Sequence, residues 1–93
     1  MEKVILNGHI IVPDSDITAV QAELPTHIEL TKQENGCLIF NVTQDKHNAN
    51  RFDVYEEFID MQSFSAHQSR VKSSKWGSVT LNVERHYEIK GLD

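Results

Sequence analysis

The spacing of apolar residues changes period along this chain, and the order of the changes restricts the fold more than any other property. Val4–Val12 is a run of strand formers closed by Pro13-Asp14. Val4, Leu6, Ile10 and Val12 share one side of it; Ile5, Asn7, His9 and Ile11 share the other. From Asp14 to about Gln33 the period becomes helical, with Ile17, Val20, Leu24, Ile28 and Thr31 in one stripe. Asp14, Ser15 or Asp16 can cap that helix. Pro25 removes a hydrogen bond to the Gln21 carbonyl and predicts a kink or two abutting pieces. Asn35-Gly36 supplies a left-handed stop. Alternation then returns in Cys37–Thr43, with Leu38, Phe40 and Val42 on one face, and in Phe52–Ile59, across a polar loop at Gln44–Asn50. Asp60 is placed to cap a second helix, about Met61–Lys72, whose inner face carries Phe64, His67, Gln68 and Val71. Trp76, Val79 and Val83 fit a short third helix over residues 74–81, against the low helix propensity of Gly77. Arg85–Lys90 is a last strand with Tyr87 and Ile89 facing one way.

The order β-α-β-β-α-β predicts an α+β, ferredoxin-like fold with one antiparallel sheet and both long helices on one side. At 93 residues, positions 1–93 form a single domain. The helices can cover one sheet face only, yet apolar residues occur on both. This predicts sheet-to-sheet homodimerisation, with a partly enclosed cavity between sheet and helices.

Composition removes several functions. Nine Lys and Arg against 14 Asp and Glu give a net charge of −5, a poor match for a phosphate backbone, so no nucleic-acid partner is expected. The lone Cys37 cannot form an intrachain disulfide or a thiolate zinc site and fits a reducing, cytoplasmic setting. The chain shows no signal-peptide pattern and no apolar run long enough to span a membrane, so no membrane partner is expected. Five histidines lack HxH, HxxxH and HExxH spacing, and no glycine-rich phosphate motif occurs. Neither a metal nor a flavin or other cofactor is therefore expected.

Leu24-Pro25-Thr26-His27-Ile28-Glu29-Leu30-Thr31, followed by Glu34-Asn35-Gly36-Cys37-Leu38-Ile39-Phe40, resembles the first helix and second strand of antibiotic biosynthesis monooxygenase domains. Phe52-Asp53-Val54-Tyr55-Glu56-Glu57-Phe58 and Phe64-Ser65-Ala66-His67 resemble the third strand and second helix of the same family. The resemblance implies a dimeric α+β barrel with a pocket in each subunit. It implies oxidation of a quinol or an anthrone-like aromatic by dioxygen without metal or flavin. Other members degrade haem or isomerise small phosphorylated sugars, so the fold leaves the chemistry open.

His67 holds the position of the family's recurrent histidine and lies on an apolar helix face, where a neutral imidazole can take a phenolic proton. It can equally be a core histidine hydrogen-bonded to a strand. Glu56 shares its strand face with Phe52, Val54 and Phe58. Such a carboxylate must be paired or protonated, and His67 is the expected partner. Asn7 is the candidate for holding a substrate oxygen, completing a catalytic set of His67, Glu56 and Asn7. His9, Tyr55, Phe58, Phe64 and Trp76 are candidates for binding a planar substrate, or else ordinary core and interface residues. His27, His47 and His86 are given no role. The expected function is cofactor-independent monooxygenation. Haem binding or degradation, small-molecule isomerisation and a non-catalytic dimeric module are the alternatives. The haem reading lacks the tryptophan such members carry before the histidine, since Tyr55–Ala66 contains none.

Overall fold

The computed structural model describes residues 3–91. β1 (Val4–Ile11) lies inside the sheet because both its edges are paired. On one side it meets β3 (Arg51–Phe58), with Val4 opposite Phe58 and Ile10 opposite Phe52. On the other it meets β4 (Glu84–Lys90), with Leu6 opposite Ile89 and Gly8 opposite Tyr87. β2 (Cys37–Gln44) pairs with β3, giving the all-antiparallel order β2-β3-β1-β4. Three helices follow the strands on one face: α1 (Ile17–Lys32), α2 (Met61–Lys72) and the short α3 (Lys75–Val79). This is the ferredoxin-like α+β topology that the period changes predict.

The register aligns the apolar sets. Val4, Leu6 and Ile10 of β1, Phe52, Val54 and Phe58 of β3, and Phe40 and Val42 of β2 are all buried on the helix-covered face. Gly8 interrupts that row for a reason of space: a Cβ there would lie 2.0 Å from the His86 carbonyl oxygen. Only glycine lets β4 approach β1 so closely.

Three local readings change. α1 runs unbroken through Pro25, so the two-piece alternative does not occur. It is preceded by a 3-10 turn at Asp14–Asp16, and no carboxylate cap bond forms at its start; the Asp16 N–H donates to the Pro13 carbonyl at 2.9 Å. In β2 the register jumps between Cys37 and Ile39. Leu38 is the extra residue of this bulge, so it is half exposed and does not share the face of Phe40 and Val42. The other punctuation is as expected. Gly36 takes φ +86 after α1. Asp60 accepts the Ser63 N–H at 2.8 Å, and α3 forms over Lys75–Val79 with Ser74 accepting the Gly77 N–H.

The face away from the helices is mixed. Ile5, Ile11, Ile39 and Tyr55 sit among Asn7, Asn41, Asp53 and Glu57. His9 and His86, directly opposed across β1 and β4, stack with ring centroids 4.8 Å apart. Among the described residues, no helix is long and apolar enough to cross a membrane.

Candidate active site

Alternation sends Leu6, Ile10 and Glu56 from the sheet, and Arg85 and Tyr87 from β4, towards the helices. α1 contributes His27, α2 contributes His67, and α3 contributes Trp76. These side chains enclose a cavity of about 200 Å³. A larger depression of about 430 Å³ lies on the opposite sheet face, along Asn7, His9, Asn41, Asp53 and Tyr55. Its Arg51–Asp53 ion pair is solvent-exposed, so charge there is screened. The smaller cavity is the candidate site because three of its ionisable groups, His27, Glu56 and His67, are buried, where dielectric and geometry act most strongly on them.

His67 is 3 % exposed. Its Nδ1 lies 3.0 Å from Glu34 Oε1, and Glu34 also accepts from Arg70 Nε. Arg70 in turn donates from Nη2 to the Thr31 hydroxyl at 2.9 Å. A carboxylate only accepts, so Nδ1 carries the proton and Nε2 keeps a lone pair. Burial lowers the His67 pKa, and the Glu34 carboxylate pulls against that. The result is an oriented, neutral imidazole whose basic nitrogen faces Glu56.

Glu56 is 7 % exposed, and its Oε1 has no hydrogen-bond partner. The gap from Oε1 to His67 Nε2 is 3.8 Å, too long for a hydrogen bond. The expected Glu56–His67 bond is therefore replaced by Glu34–His67. Burial, with a smaller push from the Glu34 charge, raises the Glu56 pKa to about 7. A group poised there gives or takes a proton near neutrality.

His27 is the residue that sequence reasoning passed over. It is 4 % exposed, stacks on Trp76 at 4.4 Å with the rings 2° from parallel, and lies 6.2 Å from His67. Burial, with smaller contributions from His67 and Arg70, lowers its pKa to about 3. Its Nδ1 is buried without a partner. The signal was present: Val20, Leu24, His27 and Thr31 recur at four-, three- and four-residue steps, putting His27 on the inward stripe.

The structure divides the remaining candidates. Trp76 lines the cavity with Tyr87, whose phenol pKa is raised first by burial and then by Glu56. Phe58 lies against the His67 ring at 4.9 Å, and Phe64 packs edge-on against Phe58 at 5.8 Å; both belong to the core and neither lines the cavity. Asn7, His9 and Tyr55 are not brought together with His67 and Glu56. They occupy the opposite sheet face, where the Tyr55 hydroxyl and the Lys3 ammonium both donate to Glu57. His47 is exposed in the β2–β3 loop. No group of three or more His, Cys, Asp or Glu is placed to hold a metal ion among the described residues.

Fold and cavity together define a ferredoxin-like α+β protein with a cavity between its sheet and helices that is lined by buried His27, Glu56 and His67. Residues 4–76 match the family described as antibiotic biosynthesis monooxygenase, and the chain belongs to that family. A Nitrosomonas europaea protein, provisionally named as an antibiotic biosynthesis monooxygenase, superposes with a TM-score of 0.80 at 19% identity, covering 97% of each chain. A Bacteroides thetaiotaomicron protein with the same provisional name gives 0.76 at 18% identity, over 99% of this chain and 89% of that one. MupZ from Pseudomonas fluorescens gives 0.76 at 19% identity, over 96% of this chain and 71% of that one. At these identities the structural likeness speaks for the fold. No curated protein matches the sequence significantly.

Proposed function

We propose that this chain is a cofactor-independent monooxygenase that oxidises a small quinol or anthrone-like aromatic with dioxygen, working as a homodimer in the cytoplasm. The observation that carries the reading is the buried pair of Glu56, with its unpartnered Oε1, and His67, whose Nε2 is left basic by Glu34. A substrate hydroxyl oxygen placed between the two can reach both, and either group can take its proton. Leu6, Ile10, Val71, Trp76 and Val83 form the apolar part of the wall, beside Gln68, Thr80 and Arg85, whose polar atoms can meet the resulting anion.

The anion passes one electron to dioxygen, and the substrate radical and superoxide join through a new C–O bond. The peroxide takes up the proton released earlier. Loss of the remaining C–H proton to the base, with cleavage of the O–O bond, leaves a carbonyl and releases hydroxide, which takes that proton back from the base and departs as water. One dioxygen is consumed for each anthrone CH₂, or for each quinol ring C–H together with the proton of the neighbouring hydroxyl, converted to C=O. His67 and Glu56 are the catalytic residues in this scheme. Phe58 and Phe64 hold the His67 helix against the sheet. Asn7, His9 and Tyr55 act on the other sheet face, where a second subunit would dock over Ile5, Ile11, Ile39 and Tyr55.

Oxygen uptake with a hydroquinone and with anthrone tests the reading. The wild type should consume dioxygen in a substrate-dependent manner, and His67→Ala should lose turnover by about 100-fold. No uptake with either compound class, or unchanged turnover in His67→Ala, would overturn it.

A further inference from the structure

Two of the chain's arginines are spoken for: Arg51 is paired with Asp53, and Arg70 with Glu34. Arg85 has no carboxylate partner among the described residues. It lines the candidate cavity, where its Nη2 donates to the Thr80 backbone carbonyl at 3.1 Å. That bond tethers the side chain and uses one of the five guanidinium N–H groups. Alternation along β4 sends Glu84, His86 and Glu88 to the open face of the sheet, so the carboxylates of its own strand do not face Arg85. In a chain of net charge −5, a cation tethered at a cavity without a counter-charge is a place for a ligand's anion.

We infer that Arg85 is a carboxylate anchor, and that the cavity takes a single-ring acid with its carboxylate on Arg85 and its hydroxyl between Glu56 and His67. The inference rests on the cavity of the proposed function and adds a charged group to its substrate. Arg85 lies opposite Ile10, whereas Glu56 lies opposite Leu6 on the other side of β1. Two strand spacings and four residues separate them, about 16 Å between Cα atoms, so Arg85 meets a different part of the ligand from the hydroxyl that loses its proton. Tyr87 stands between the two: burial and then Glu56 push its phenol pKa up, and Arg85 pulls against both, so the ring lies in the field of both charges. The Gln68 amide lines the same cavity and can donate to a bound acid. Arg85 is the only Lys or Arg among the described lining residues, and one planar guanidinium matches the two oxygens of a carboxylate, whereas a phosphate dianion calls for more positive charge. The volume of about 200 Å³ is below the range of about 300–1,000 Å³ usual for drug-sized ligands, which favours one ring over three fused ones.

Calorimetry under argon, where no oxidation occurs, compares 2,5-dihydroxybenzoate with its uncharged amide. The measurement is made at about pH 6, where Glu56 is mostly protonated and does not repel an acid. Wild type should bind the acid about tenfold more tightly than the amide, the scale of a hydrogen bond to a charged group. In Arg85→Gln the ratio should fall to about one. Arg85→Lys, which keeps the charge and loses the fork, should retain part of the preference. Arg85 is exposed, so both variants should stay folded. Equal affinity for acid and amide in the wild type would overturn the inference, as would a preference that survives Arg85→Gln or failure of the acid to bind. Tighter Arg85-dependent binding of 4-hydroxyphenyl phosphate than of the acid would overturn the carboxylate assignment. An Arg85-dependent preference without oxygen uptake in air would uphold the anchor and overturn the oxygenase reading. Uptake with hydroquinone but no preference for the acid would do the reverse.

Discussion

Replacing Glu56 with glutamine tests whether this carboxylate is unpaired in the folded chain. Glu56→Gln keeps the shape and removes the ionisation. In the folded protein the group titrates near 7, against an ordinary value of 4.5. A raised carboxylate binds its proton more tightly folded than unfolded, so stability is fully present below the unfolded value and is lost as pH rises through the folded one. The window runs from 4.5 to about 7, and full ionisation above it costs on the order of 3 kcal/mol. Glutamine carries no such penalty. Urea unfolding followed by Trp76 fluorescence, at about pH 5 and pH 8, should show Glu56→Gln gaining stability on the wild type with increasing pH. Taking the difference between variant and wild type cancels the other titrating groups, including His27, whose pH dependence has the opposite sign. A constant difference across that range, or a loss at the alkaline end, would show that Glu56 is paired when ionised, with a protonated His67 as the partner.

Three further outcomes are expected. His27 has a folded pKa near 3 against an ordinary 6.5, so wild type loses stability as pH falls below 6.5; His27→Leu should be more acid-resistant by about 2 kcal/mol near pH 5, and equal pH profiles of denaturation would refute this. Gly8→Ala drives a methyl to 2.0 Å from the His86 carbonyl oxygen and should cost about 1–3 kcal/mol, with lost amide-exchange protection concentrated in β4; a wild-type melting curve would contradict the close-approach argument. Sedimentation should report twice the 10.7 kDa chain mass, and Ile39→Glu on the open face should halve it without unfolding the chain; a wild-type monomer at micromolar concentration would refute the dimer.

The fold was legible because each element announces itself locally. Alternation in β3 and the four-and-three steps of α1 and α2 need no tertiary information, and Asp60 and Gly36 mark their boundaries through cap and turn chemistry. The bulge at Leu38 was not legible, since nothing in a run of apolar residues says which one falls out of register. The site was half legible. Glu56 stood out as a carboxylate on an apolar strand face, and His67 as a histidine on an apolar helix face. Glu34 gave no sign, because its role depends on where the α1–β2 turn lies relative to α2, which only tertiary packing sets. Asn7 and His9 were placed with His67 because each strand side looked serviceable. Pairing with β3 fixes that side: Asn7 lies opposite Tyr55 and Leu6 opposite Glu56, so Asn7 and Glu56 point to opposite sides of the sheet.

The pairing of Ile5 with Lys90 has a consequence for how the site comes into being. That contact closes almost the whole chain into one loop, and loop closure of this span is entropically the most demanding step of assembly. β2, β3 and α1 can associate through much shorter separations. The last strand therefore docks late, and it carries Arg85 and Tyr87, the far wall of the cavity. A chain can hold most of its hydrophobic core and still lack the wall that completes the candidate cavity, so the cavity would take its shape only when the last strand docks.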